Sequence, residues 1–163
     1  MTEKLEFVTY CGLYCGLCAG RVRIPKRAAA LQEAMAEEGW PDWGAGIPGF
    51  TAFWHFLESL HADGGCPGCR AGGGPPECRI RDCARQRGLE LCSQCPDFSC
   101  PRIEALGAMY PTLIADNRRL QAVGLEQWLG EQEERARRGV VYADIRYQVG
   151  VAVRGQAFGE PEG

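Results

Sequence analysis

Apolar positions recur along this chain with two different periods. Leu5-Glu6-Phe7-Val8-Thr9-Tyr10 reads as a short extended run leading into the loop CGLYCGLC. Pro25 suits the first turn of a helix reaching about Glu38, with Gly39 as its C-terminal cap and Ala28, Leu31, Ala34 and Met35 as its apolar stripe. After the breakers between Trp40 and Pro48, Phe50, Phe53, Trp54, Leu57 and Leu60 return at helical spacing, an aromatic stripe read as core packing. Residues 79–87 predict a short helix, Pro101 starts another, and Pro111 marks a break before LIADNRRLQAV. Gly124 precedes LEQWLGEQEERARR, where Leu125, Trp128 and Leu129 form the buried edge. Glu131–Arg135, Glu133–Arg137 and Glu134–Arg138 stand at i,i+4 there and read as a solvated face.

The period then changes. From Val141 to Val153 every odd position is apolar, while Asp144, Arg146 and Gln148 occupy even ones. That alternation predicts a strand or hairpin with one buried face. Only Leu5–Tyr10 offers a partner, and it is too short to cover the whole run. Either the run folds back as a hairpin near Gln148–Gly150 and pairs with the N-terminal strand, or it pairs with a second copy as a homodimer through residues 141–153, the option favoured here. The expected fold is therefore mainly α, with a short β element near the termini and a Cys-rich, zinc-knuckle-like metal-binding insert. Residues 1–139 read as the cysteine-rich helical domain, with its knuckle region at 64–100, and residues 140–163 as a strand or hairpin followed by a loose tail.

The knuckle region carries the chemistry. Its 37 residues hold seven Cys and eleven Gly or Pro, but only Ile80, Leu89, Leu91 and Phe98 as large apolar side chains. Four such side chains contribute about 1.5–3 kcal/mol each on full burial, against about 1–2 kcal/mol to order each residue. Apolar burial cannot hold this segment. Structural zinc, at about 10–16 kcal/mol, has the right scale.

Composition narrows the setting. Eighteen Lys and Arg against 21 Asp and Glu leave a net charge of −3, which carries no footprint for nucleic acid or an anionic membrane. No run of about 18 apolar residues exists, and MTEKLEFVTY lacks the profile of a secretory signal, so a cytoplasmic protein is expected. In a reducing compartment ten cysteines read as thiolate ligands before they read as disulfides.

Their spacing agrees. Cys11-x3-Cys15-x2-Cys18, Cys66-x2-Cys69, Cys78-x4-Cys83 and Cys92-x2-Cys95-x4-Cys100 repeat a two-residue gap that turns both sulfurs onto one ion. Cys66 and Cys69 with Cys92 and Cys95 approach zinc-ribbon spacing, which groups them in one site. Cys11, Cys15 and Cys18 then take one of Cys78, Cys83 or Cys100 as their fourth ligand, and spacing alone does not choose between them. Zn2+ is the expected metal, with a structural or interaction role and a protein partner or a second copy on the other side. A [4Fe–4S] cluster serving electron transfer or redox sensing is the alternative, since Cys95-Pro96 and Cys100-Pro101 echo the Cys-Pro ending of ferredoxin runs. An enzyme whose metal site keeps an open position is the third reading. The three-Cys loop also matches the spacing of radical enzymes, but too few residues follow it to build their barrel. Cys66-Pro67-Gly68-Cys69 lacks the strand–helix setting of a catalytic CxxC. His55 and His61 point about 120° apart on one helix, and His61 is at most a minor ligand. No catalytic residue and no phosphate cradle is predicted; GGG at 72–74 runs into Pro-Pro instead of a helix.

The opening YCGLYCGLC, the middle CPGC…CRIRDCARQRGLELCSQCPDFSC and the later NRRLQAVGLEQWLGEQEERARR together resemble a prokaryotic cysteine-rich family, domain of unknown function 3795. The resemblance runs from about Tyr10 to Arg138 and includes the order of all ten cysteines. It implies a small cytoplasmic protein that holds zinc or an iron–sulfur cluster, and it implies no activity. Some members carry a further Cys pair after the Trp-containing helix. This chain has the Val141–Val153 run there, so that extra site is absent.

Overall fold

The computed structural model describes residues 5–62 and 65–148. It is mainly helical, as the 3.6-residue periodicity predicts. The chain forms two compact bodies, one of Ala19–Pro67 and one of Met1–Cys18 with Gly68–Gly163.

The first body contains α1 (Ala19–Val22), α2 (Ile24–Glu37), α3 (Trp40–Trp43) and α4 (Phe50–Ser59). Pro25 occupies the first turn of α2, and Gly39 ends it in the left-handed conformation that a side chain resists (φ +74). Phe50 is the aromatic centre, with ring centroids 6.1 Å from Trp40 and 5.6 Å from Trp54. The apolar stripes are only partly used. Ala28, Phe50 and Leu57 are buried, whereas Leu31, Phe53 and Phe56 are exposed, Phe56 at 62%.

The second body contains α5 (Arg79–Gln86), α6 (Pro101–Met109), α7 (Leu113–Arg137) and α8 (Tyr142–Gln148). Gly124 breaks α7 with φ +79 and ψ 167, a conformation open essentially to glycine alone. The break reverses the chain. Arg119 pairs with Glu131 at 2.6 Å and Asp116 with Arg135 at 3.1 Å, although a straight helix would separate those positions by about 18 and 28 Å. Residues 113–123 and 125–137 are thus the two arms of a helical hairpin. Of the expected i,i+4 pairs, Glu134–Arg138 is present, while Glu131 and Arg135 have turned to partners on the facing arm.

The core of this body gathers Leu5, Val8, Tyr14, Leu17, Leu91, Leu120, Trp128 and Tyr142. Trp128 is fully enclosed, and Tyr14 meets it edge-on with centroids 6.5 Å apart.

Both β expectations are corrected. Among the described residues there is no sheet: the N-terminal run contributes a single antiparallel bridge, Val8 with Tyr14. The start of the 141–153 run is helix α8, and residues 149–153 lie outside the described residues. The physical reason is that Val141, Tyr142 and Ile145 meet the core at helical spacing, which an odd-position alternation conceals. The Tyr142 hydroxyl is enclosed and accepts the Tyr14 N–H at 2.9 Å, so the even position faces inward.

A candidate metal centre

Four cysteines from three segments line one cavity of about 310 Å³: Cys83, Cys92, Cys95 and Cys100. Cys83 rides on α5, Cys92 opens the 3-10 turn Cys92–Gln94 and Cys95 closes it, and Cys100 caps the N-terminus of α6. Leu89, Phe98 and Ile103 supply apolar wall, while Arg87, Asp97 and Arg102 supply charge.

The CSQC turn is held from every side. The Cys92 N–H donates to the Tyr10 carbonyl at 2.7 Å, which ties the turn to the N-terminal cysteine loop. The Gln94 side-chain oxygen accepts the N–H groups of Glu90 and Leu91, and Gln121 donates to the Ser93 carbonyl at 2.6 Å. Sequence reasoning missed these two glutamines; nothing in their spacing distinguishes them from surface residues.

The loop behind it is equally constrained. Thr9 Oγ1 accepts the Leu13 N–H and lies 3.0 Å from Cys11 Sγ. Cys11, Ile103 and Leu113 form a second apolar cluster, against which Cys92, Cys100 and Phe98 pack. Burial pushes the Cys11 thiol up to about 11, with the charges of Cys69 and Cys78 adding to the effect. Cys92 is pushed up to about 12, first by burial and then by the thiolate charges of Cys11, Cys100, Cys83 and Cys95. A cation among these sulfurs reverses the sign of that repulsion, because thiolates bind metal and thiols do not.

Cys92 and Cys95 share their cavity with Cys83 and Cys100. Cys66 belongs to the Ala19–Pro67 body and Cys69 to the other. Cys15 is buried, Cys18, Cys66, Cys69 and Cys78 are half-buried, and none of the ten cysteines is in a disulfide. His61 meets Gln32, and His55 lies beside Glu58. Among the described residues no group of three or more His, Cys, Asp or Glu side chains is arranged as it stands to hold a metal ion. The four thiols border a shared space without converging on one point. As a donor set they fit a thiophilic metal.

Among the described residues no helix is long and apolar enough to cross a membrane. No curated protein and no solved structure matches the chain. The pattern of a family described as protein of unknown function (DUF3795) matches residues 7–105, a stretch that holds all ten cysteines and stops short of α7. That match covers well over half of the 163 residues, and the chain belongs to this family.

Proposed function

We propose that this is a cytoplasmic metal-binding protein whose principal site is formed by Cys83, Cys92, Cys95 and Cys100, with zinc as the metal and a structural role in an interaction module. The carrying observation is that four thiols from three segments line one cavity. Zinc would be held there as a tetrathiolate and would fasten α5, the CSQC turn and the start of α6 together. Cys11, Cys15, Cys18, Cys69 and Cys78 belong to the same body and are available to a second site, and the action of the Cys69 and Cys78 charges on Cys11 supports one. Exposed Trp43, Ile47, Phe53 and Phe56 in the Ala19–Pro67 body support a protein partner or a second copy. The helical start of the 141–153 run removes the basis for strand-mediated dimerisation over its described part.

A second reading is an iron–sulfur electron carrier or sensor, because cysteine thiolates hold iron–sulfur clusters as well as zinc. Metal and sulfide analysis of anaerobically purified protein separates the two. A colourless protein with at least one zinc per chain, of which one is lost in Cys83→Ser with Cys95→Ser, supports the first reading. Brown protein with acid-labile sulfide supports the second. Metal well below one per chain defeats both.

A further inference from the structure

Four thiolates around one divalent cation leave an excess of negative charge, which nearby cationic side chains and N–H donors can offset. Arg87 stands where that charge collects. It caps the C-terminus of α5, one turn beyond Cys83, so both residues lie on one face of the helix. Its Nη1 donates to Cys95 Sγ at 3.0 Å and to Asp97 Oδ2 at 2.7 Å. All three residues line the cysteine cavity. The Arg87 and Asp97 side chains are 48% and 60% exposed, so the ion pair alone contributes little to stability. Asp97 holds the guanidinium at the rim, and the guanidinium in turn holds the sulfur.

We propose that Arg87 is a positioning residue of the cysteine site: it orients the Cys95 sulfur and counters the negative charge of the thiolates. The inference rests on the four-thiol reading. An N–H donor to a ligating sulfur acts as the outer partners of metal ligands generally do, and their loss weakens metal binding about 10–100-fold.

The test uses the full chain, stripped of metal under reducing conditions and titrated with zinc alone against a chromophoric chelator. Arg87→Gln should weaken zinc binding about 10–100-fold. Arg87→Lys, which keeps the cation and a donor, should recover most of that loss. Arg119→Gln, which removes an exposed ion-paired arginine on α7, should leave the affinity unchanged. Circular dichroism and the thermal midpoint of the metal-free variants separate weakened binding from misfolding. The proposal is overturned if Arg87→Gln binds zinc within threefold of the wild type, if Arg87→Lys shows no recovery, or if Arg119→Gln falls equally. A wild-type chain that takes up no zinc, or a Cys83→Ser with Cys95→Ser variant whose zinc content and affinity are unchanged, overturns the four-thiol reading itself.

Discussion

Gly12 stands directly against the side chain of Asn117. A β-carbon at Gly12 would lie 2.6 Å from Asn117 Cγ and closer still to both of its amide atoms, on a backbone already at φ +88. Asn117 is fully buried, and its Nδ2 donates to the carbonyls of Cys11 at 3.0 Å and Leu113 at 2.9 Å. The first cysteine loop is therefore hung on the hairpin. Gly12→Ala combines backbone strain with overpacking against an amide that cannot move, and should cost about 2–4 kcal/mol in urea unfolding. A loss below about 1 kcal/mol would show that the loop can lift away.

Tyr142 joins the C-terminal helix to the same loop, and its ionisation is a second probe. Burial, ahead of every other cause, holds its phenol above the ordinary value of 10.0. The folded chain thus keeps this proton where the unfolded chain has lost it. The stabilisation is complete below about pH 10 and drains away as pH rises beyond it. Tyr142→Phe removes the titration but strands the buried Tyr14 N–H, so at pH 7 it should cost about 1–3 kcal/mol. The gap between the two proteins should narrow above pH 10. A gap that stays constant to pH 12 would contradict the assignment.

Arg81 stitches the glycine–proline loop to α5. Its buried guanidinium donates to the carbonyls of Gly73 at 2.9 Å, Pro75 at 3.0 Å and Pro76 at 2.8 Å. Arg81→Met would leave those carbonyls without their donor and should cost about 2–4 kcal/mol. Amide exchange in residues 70–78 should accelerate in the variant. Unchanged exchange there would mean that the loop is held by other contacts.

On the zinc reading, removing metal should act unevenly. Cys83, Cys92, Cys95 and Cys100 sit in a segment with few buried apolar side chains, whereas Leu120 and Trp128 anchor the hairpin in a core cluster without cysteine. After chelation, hydrogen exchange should rise across residues 79–100 while 113–137 stays protected. Protection of residues 79–100 that survives complete metal removal would show that the protein alone orders the segment.

Much of the helical frame was readable from local signals. Pro25 and Pro101 sit in first turns, Gly39 ends α2, and Gly124 breaks α7, as their fixed or permissive φ angles demand. The 141–153 run misled because Val141 and Ile145 fit both periods; only the burial of Tyr142 distinguishes them, and burial is a tertiary fact. That Cys83 and Cys100 border the same cavity as Cys92 and Cys95 was hidden for the same reason. Spacing describes how Cys92 and Cys95 turn toward each other, but the packing of α5 against α6 brings Cys83 and Cys100 to them.

One residue, Gly124, decides whether the two arms of α7 pack on each other or run on as a single rod. An alanine there cannot hold φ +79 with ψ 167, so the straight helix gains at the expense of the turn. A straightened α7 carries Glu131, Arg135 and Trp128 away from Arg119, Asp116 and the core that encloses them. The only identical arm able to fill that space then comes from another molecule. Gly124→Ala should therefore produce a domain-swapped dimer, which rises with protein concentration during refolding and is seen by light scattering. The same turn that makes the hairpin a private contact of one chain is what keeps two chains from trading halves.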